Sequence, residues 1–452
     1  MIGFRGAPPG SLAARRSLAI ALATGVALLA GPARADQEQL QMLVEDLAER
    51  VRELESSRAA AGGGGAAWAE RIRLSGSADL GYYGGQGDSV FEEDAFAVRD
   101  LRLFLDADLG REIRAGEHLL VRNVGFTFEW NLVRTAELDN DVGEAYVDLQ
   151  AIGGMPWLNV QLGRFQIPVG EEYLRYSKGF AHRPLISQTV GGPWWWDEGI
   201  RIYGDWLGGR IGYVASLSNG DTPFNVDSNG DKQATLKLIA QPMDWLRVSG
   251  SVLRSGRIGR SDEGASGALW LGESWARAFG GPSSVPNFVD GMVVPDGPNR
   301  LTDTLLLAGD VIVDLPEQLR LWLAYGNYEI ETDGASLYDR NLEYWIAELI
   351  LRGALLAPEL SGAWLALRAN GLGSYDDGRG YLLDSRRRNT LGFNMESITV
   401  YSIGLGWQLS HGLTLRAEYS FHHVDTVDGV TEAIRHAADR ADLFGIELGA
   451  HF

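Results

Sequence analysis

No cysteine occurs in this 452-residue chain, so it can build neither a disulfide framework nor a thiolate metal site. Lysine is nearly missing as well, with only Lys178, Lys232 and Lys237 present. Acids outnumber bases by 60 to 40, a net charge of −20, which excludes a nucleic-acid binder. After residue 35 no segment reaches the roughly 18 uncharged apolar residues of a spanning helix, so any membrane crossing must be made by strands. Motifs for catalysis are missing too. The seven histidines (His118, His182, His411, His422, His423, His436 and His451) show no His-Glu-x-x-His spacing, and no Gly-x-Ser-x-Gly occurs. The expectation is a protein that is not an enzyme and needs no cofactor or metal. Asp221, Asp227, Asn229 and Asp231 resemble part of a calcium loop, but the register lacks its twelfth-position glutamate.

Three compositional zones open the chain. Residues 1–35 place Arg5, Arg15 and Arg16 before the apolar run Leu18 to Leu29 and then Ala33-Arg34-Ala35, the plan of a cleaved secretory signal. Its four arginines and no acid leave 36 bases against 60 acids in the remainder, a net of −24. Residues 36–58 carry Leu40, Val44, Leu47, Val51 and Leu54 at heptad spacing, with Glu45, Asp46, Glu49, Arg50, Arg52 and Glu53 between them. That is either a lone amphipathic helix or a short parallel coiled coil tying protomers together. Residues 59–67, with four consecutive glycines, read as a flexible linker.

From Trp68 the hydrophobic period becomes two and stays there. Sixteen candidate strands follow: 71–83, 97–109, 117–132, 142–152, 157–166, 198–207, 209–218, 232–241, 244–255, 303–313, 318–331, 341–352, 359–370, 397–410, 412–424 and 441–452. Several turns are short, among them Leu207-Gly208-Gly209, Gln241-Pro242-Met243-Asp244, Asp314-Leu315-Pro316-Glu317 and Ser410-His411-Gly412, whereas connections after odd-numbered strands (84–96, 133–141, 167–197, 219–231, 256–302, 332–340, 371–396 and 425–440) are mostly long. Short turns alternating with long loops over an even strand count are the pattern of an outer-membrane barrel. The predicted fold class is therefore all-β: a 16-stranded antiparallel transmembrane β-barrel over residues 68–452, with a short N-terminal α-helical arm. Sixteen strands leave an aqueous lumen.

Faces follow from parity. Along 413–421, Leu413, Leu415, Ala417, Tyr419 and Phe421 oppose Thr414, Arg416, Glu418 and Ser420. Apolar outside and charged inside suits lipid around a wet lumen. The inward cations by this count include Arg71, Arg73, Arg102, Arg201, Lys237, Arg247, Arg320, Arg352, Arg368 and Arg416. The inward anions include Asp79, Asp100, Asp106, Asp108, Glu129, Glu144, Asp148, Asp205, Glu348, Glu418 and Glu447. Pro193-Trp194-Trp195-Trp196 suggests either an interfacial anchor or a sugar-stacking platform, and Arg386-Arg387-Arg388 a loop patch able to touch lipopolysaccharide headgroups.

One connection is long and irregular. Residues 167–197 hold Glu171, Glu172, Arg175, Lys178, His182 and Arg183 between two clean strands. The motif Gly163–Gly170 (GRFQIPVG), followed about thirty residues later by Asp197–Asp205 (DEGIRIYGD), resembles the phosphate-selective porin O/P family of Gram-negative outer membranes. Where that family usually carries a Glu-Arg pair in the loop, this chain reads Ala181-His182-Arg183-Pro184. The resemblance implies a homotrimeric outer-membrane porin passing small hydrophilic solutes, notably inorganic anions such as phosphate. The loop would fold into the barrel, with Arg175, Lys178 and Arg183 at the constriction beside Glu171 and Glu172, and Arg102, Arg201, Arg320 and Arg416 on the path. A cation- or carbohydrate-permeable porin, or a barrel serving mainly as a structural anchor, are the alternatives.

Overall fold

The structure, a computed structural model, describes residues 71–85, 95–134, 137–171, 183–187, 189–190, 196–220, 231–259, 269–270, 292–293, 301–332, 340–374, 395–426 and 442–452. The expected signal segment, helical arm and linker lie outside the described residues, as do Glu172, Arg175, Lys178, His182, Trp194, Trp195 and the Arg386–Arg388 patch.

The strands are β1 (Ile72–Gly85), β2 (Ala95–Ala115), β3 (His118–Arg134), β4 (Glu137–Gln150), β5 (Asn159–Gln166), β6 (Trp196–Trp206), β7 (Ile211–Ser218), β8 (Gln233–Met243) and β9 (Leu246–Gly259), then the two-residue pair β10 (Leu269–Trp270) and β11 (Met292–Val293), then β12 (Leu301–Leu315), β13 (Leu319–Thr332), β14 (Arg340–Arg352), β15 (Ala363–Ser374), β16 (Met395–Ser410), β17 (Leu413–Thr426) and β18 (Asp442–His451). All but β10 and β11 form one closed antiparallel barrel of sixteen strands, each paired with its neighbour in sequence. β18 closes onto β1 with Leu448 opposite Leu80 and His451 opposite Ser77. Each of the sixteen barrel strands thus finds a partner on both edges, the condition lipid imposes. Among the described residues no helix is long and apolar enough to cross a membrane.

Side-chain alternation follows the pleat. On β17, Arg416 and Glu418 are buried inside while Leu415, Tyr419 and Phe421 are exposed outside. Leu238, Leu307, Leu323, Leu367, Ile403, Leu405 and Ile446 continue that exposed apolar surface round the outer wall. A continuous apolar exterior around a polar interior is the surface of a barrel immersed in lipid.

Two local features depart from the sequence-based expectation. The sequence predicts a long loop over 133–141, yet β3 runs on to Arg134 and β4 begins at Glu137, the two residues facing each other across the hairpin. The polar run Asp139-Asn140-Asp141 carries no apolar alternation, so the sequence does not mark it as strand. The second departure is a bulge. Opposite Asp79 and Leu80 the register steps from Asp100 to Val98, so Arg99 is the extra residue of β2. Strict alternation sends Arg99 outward, whereas the bulge lets both Arg99 and Asp100 lie buried inside.

Candidate functional site

The segment after β5 is inside the barrel, and the motif that opens it explains how it gets there. Gly163 has φ 131°, and a Cβ there would lie 2.2 Å from the Ala145 carbonyl oxygen, so only glycine passes β4 this closely. Phe165 is fully buried, Pro168 follows the last strand residue Gln166, and Gly170 turns the chain with φ 65°. The Gly170 N–H then donates to Ser251 Oγ at 3.2 Å, and the buried ammonium of Lys237 donates to the Gly170 carbonyl. Ser251 and Lys237 are inward residues of β9 and β8, so the chain has crossed from β5 onto another part of the inner wall.

Glu171 fixes it there. Its carboxylate meets Lys237 at 2.7 Å and Arg247 at 3.3 Å, and accepts from Ser249 Oγ at 3.1 Å. Asp310 of β12 stands beside them, taking Ser249 Oγ at 3.3 Å and Trp322 Nε1 at 3.0 Å. This first clamp holds two cations and two carboxylates.

The second clamp holds the segment where it is next described. Arg183 meets Asp79 of β1 at 2.5 Å and lies 3.9 Å from Asp100. Asp79 also takes Arg99 at 3.0 Å and Arg416 of β17 at 2.7 Å. Glu447 of β18 shares both of those arginines, at 2.5 and 2.8 Å, and accepts from Tyr83 Oη at 2.9 Å. Arg102 closes the cluster, bidentate on Asp100 at 2.7 and 2.9 Å and 3.2 Å from Glu129. Four guanidinium groups and four carboxylates are packed together, each side chain nearly or fully buried. Burial pushes the Arg183 guanidinium below its ordinary value; Arg99 and Arg416 push the same way and Asp79 opposes them.

From Arg183 the segment runs along β15 to β17. Glu418 accepts the Ile186 N–H at 2.5 Å, the Ser187 N–H at 2.8 Å and the Ser187 hydroxyl. Arg368 donates to the Ser187 carbonyl at 3.0 Å, Trp364 Nε1 to the Pro184 carbonyl at 2.9 Å, and the Val190 N–H to Asn370 Oδ1 at 2.6 Å. Leu185 and Ile186 are buried, Leu185 against the space left by Gly404. Counting round the closed sheet, β9 and β1 are eight places apart, half the circumference. The two clamps therefore hold the ends of 172–182 on opposite walls of the lumen.

The sequence-predicted site residues thus separate into groups. Arg183, Glu171, Arg102 and Arg416 are brought into the buried clamps. Arg201 and Arg320 lie on the inner wall and keep partial exposure. Glu172, Arg175 and Lys178 fall outside the described residues. Sequence reasoning missed Arg99, whose signal was hidden by the bulge, and Tyr83, which continues the inward parity of Asp79 but carries no charge to draw notice.

No family model matches the chain, and no curated protein sequence does. Solved structures share its fold. The outer membrane channel DcaP of Acinetobacter baumannii aligns with TM-score 0.52 at 13% identity, over 84% of this chain and 97% of that one. An anion-selective porin from Comamonas acidovorans gives 0.51 at 12% identity, over 84% and 99%. The trimer form of the outer membrane protein OmpT of Vibrio cholerae gives 0.50 at 11% identity, over 84% and 99%.

Proposed function

We propose that the chain is an outer-membrane porin, a water-filled channel through which small hydrophilic solutes diffuse, with a bias toward inorganic anions such as phosphate. The observation that carries this reading is the segment from Ile167 to Val190, clamped at two opposed places inside a lipid-facing barrel. A segment held across a sixteen-stranded lumen narrows a passage that would otherwise be wide, and charge near the narrowing governs what passes. Arg175 and Lys178 belong to the stretch between the clamps, and Arg201 and Arg320 to the wall. The anion bias and a homotrimeric assembly draw support from two fold neighbours, one titled anion-selective and one in trimer form.

Asp205, exposed on β6, and Asp148, half-buried on β4, favour a second reading in which cations pass more readily. One measurement separates the two. Purified protein in a planar bilayer should open in discrete conductance steps, and a salt gradient should give a reversal potential of the anion-selective sign. The opposite sign supports the cation reading. Protein that inserts as a folded barrel yet never conducts refutes both.

A further inference from the structure

Arg201 differs from the other inward arginines of the site. Arg102, Arg183, Arg247, Arg368 and Arg416 each face a carboxylate at ion-pair distance. Among the described residues Arg201 has none, yet its guanidinium is held firmly. Nε donates to Gln161 Oε1 at 2.5 Å, Nη1 donates to the Gln166 carbonyl at 3.0 Å, and the group lies 4.8 Å from the centre of the Phe165 ring and 5.7 Å from that of Tyr146. The nearby acids are engaged or remote. Asp148 accepts from Tyr203 Oη, at 2.9 Å to each oxygen, and from Gln150 Nε2 at 2.8 Å. Glu144 faces Arg201 through space, with no ion-pair contact among the described residues. An arginine has five N–H donors, and two are used, leaving three on the open end of the fork.

We infer that Arg201 is an oxyanion-binding site on the channel wall, taking a phosphate or carboxylate group in bidentate fashion. The inference rests on the porin reading and deepens it. A planar fork matches two oxygens of one oxyanion, whereas chloride can satisfy only a single point of it. The Phe165 and Tyr146 rings and the two amide oxygens fix the fork before any solute arrives, so little ordering entropy is lost on contact. The clamp arginines do not serve in this way, because their charges already face carboxylates at ion-pair distance. Arg201, half-buried on β6, thus keeps donors for a solute that the clamp arginines, paired with carboxylates, do not.

The test compares Arg201→Gln and Arg201→Lys with the parent protein in planar bilayers, using chloride, phosphate and acetate salts. Folding of each variant is checked first by heat-modifiable electrophoretic migration. Loss of one unit charge at contact distance in water-like surroundings corresponds to about fivefold in permeability ratio, so R201Q should lower anion-over-cation permeability by about that factor. R201K should keep most of that ratio but lose the preference for phosphate and acetate over chloride, since it keeps charge without the fork. A folded, conducting R201Q with unchanged ratio and unchanged oxyanion preference overturns the site. Should the parent form no channel, the porin reading fails by itself. Thermal unfolding in detergent then decides the site: stabilisation by phosphate or acetate over chloride in the parent but not in R201Q upholds it, and equal behaviour of the two overturns it.

Discussion

Replacing Asp79 with asparagine should release one end of the inserted segment while leaving the barrel closed. The side chain keeps its shape and loses the charge that three guanidinium groups share at 2.5 to 3.0 Å. Those three do not suffer equally. Arg99 and Arg416 each retain Glu447, at 2.5 and 2.8 Å. Of the carboxylates in the cluster, Arg183 keeps Asp100 at 3.9 Å, and Asp100 is already bidentate with Arg102. Arg183 is therefore the residue that leaves, and it alone of the three belongs to a loop able to leave. Removing one partner of a buried ion pair costs about 3–5 kcal/mol, so the clamped-to-released ratio should fall by roughly 10² to 10⁴. Limited proteolysis in detergent should then cut near Arg183 in Asp79→Asn and not in the parent, and single-channel traces should become noisier. The double variant Asp79→Asn/Arg183→Gln removes both charges and should recover part of the loss, as a coupled pair does. Protease resistance and channel noise equal to the parent's would refute the assignment of Asp79 as the loop's anchor.

Two further outcomes follow from the wall itself. Gly163→Ala should lower the yield of refolded barrel, since φ 131° is closed to side chains and the new methyl would sit 2.2 Å from the Ala145 oxygen; heat-modifiable migration after refolding into detergent measures it. Leu307→Lys, at an exposed position near the middle of β12, should destabilise folding into lipid vesicles by about 2–4 kcal/mol. Reversible urea unfolding in vesicles checks that value, and an unchanged midpoint would mean that this face does not meet lipid.

The strands were legible because a barrel wall repeats one simple rule, apolar to lipid and polar to water, over sixteen short segments. The inserted segment was legible as a motif: Gly163, Pro168 and Gly170 each mark a backbone event that few other residues allow. Parity failed where the backbone broke its own period. Arg99 is the example, since a single bulge turned an outward position inward. Partnership was not legible at all. Glu171 and Arg183 are separated from Lys237 and Asp79 by 66 and 104 residues, and no local pattern joins them. Reading the loop's charges as a constriction lining assumed they face water, whereas the clamps place Glu171 and Arg183 among buried partners.

That distinction has a physical cause. A segment can lie inside a barrel only if its polar groups find partners there, because burying an unpaired charge costs more than the contact returns. Each clamp meets the condition by balance: two cations with two carboxylates on β8, β9 and β12 counting Glu171, and four with four on β1, β2, β3, β17 and β18 counting Arg183. A balanced cluster presents almost no net field to a passing ion. On the proposed reading, selectivity then falls to charges outside the clamps, among them Arg201, Arg320, Asp148 and Asp205 of the described wall. In the proposed channel the clamps would hold the inserted segment in place, and the unclamped residues would set which solute it favours.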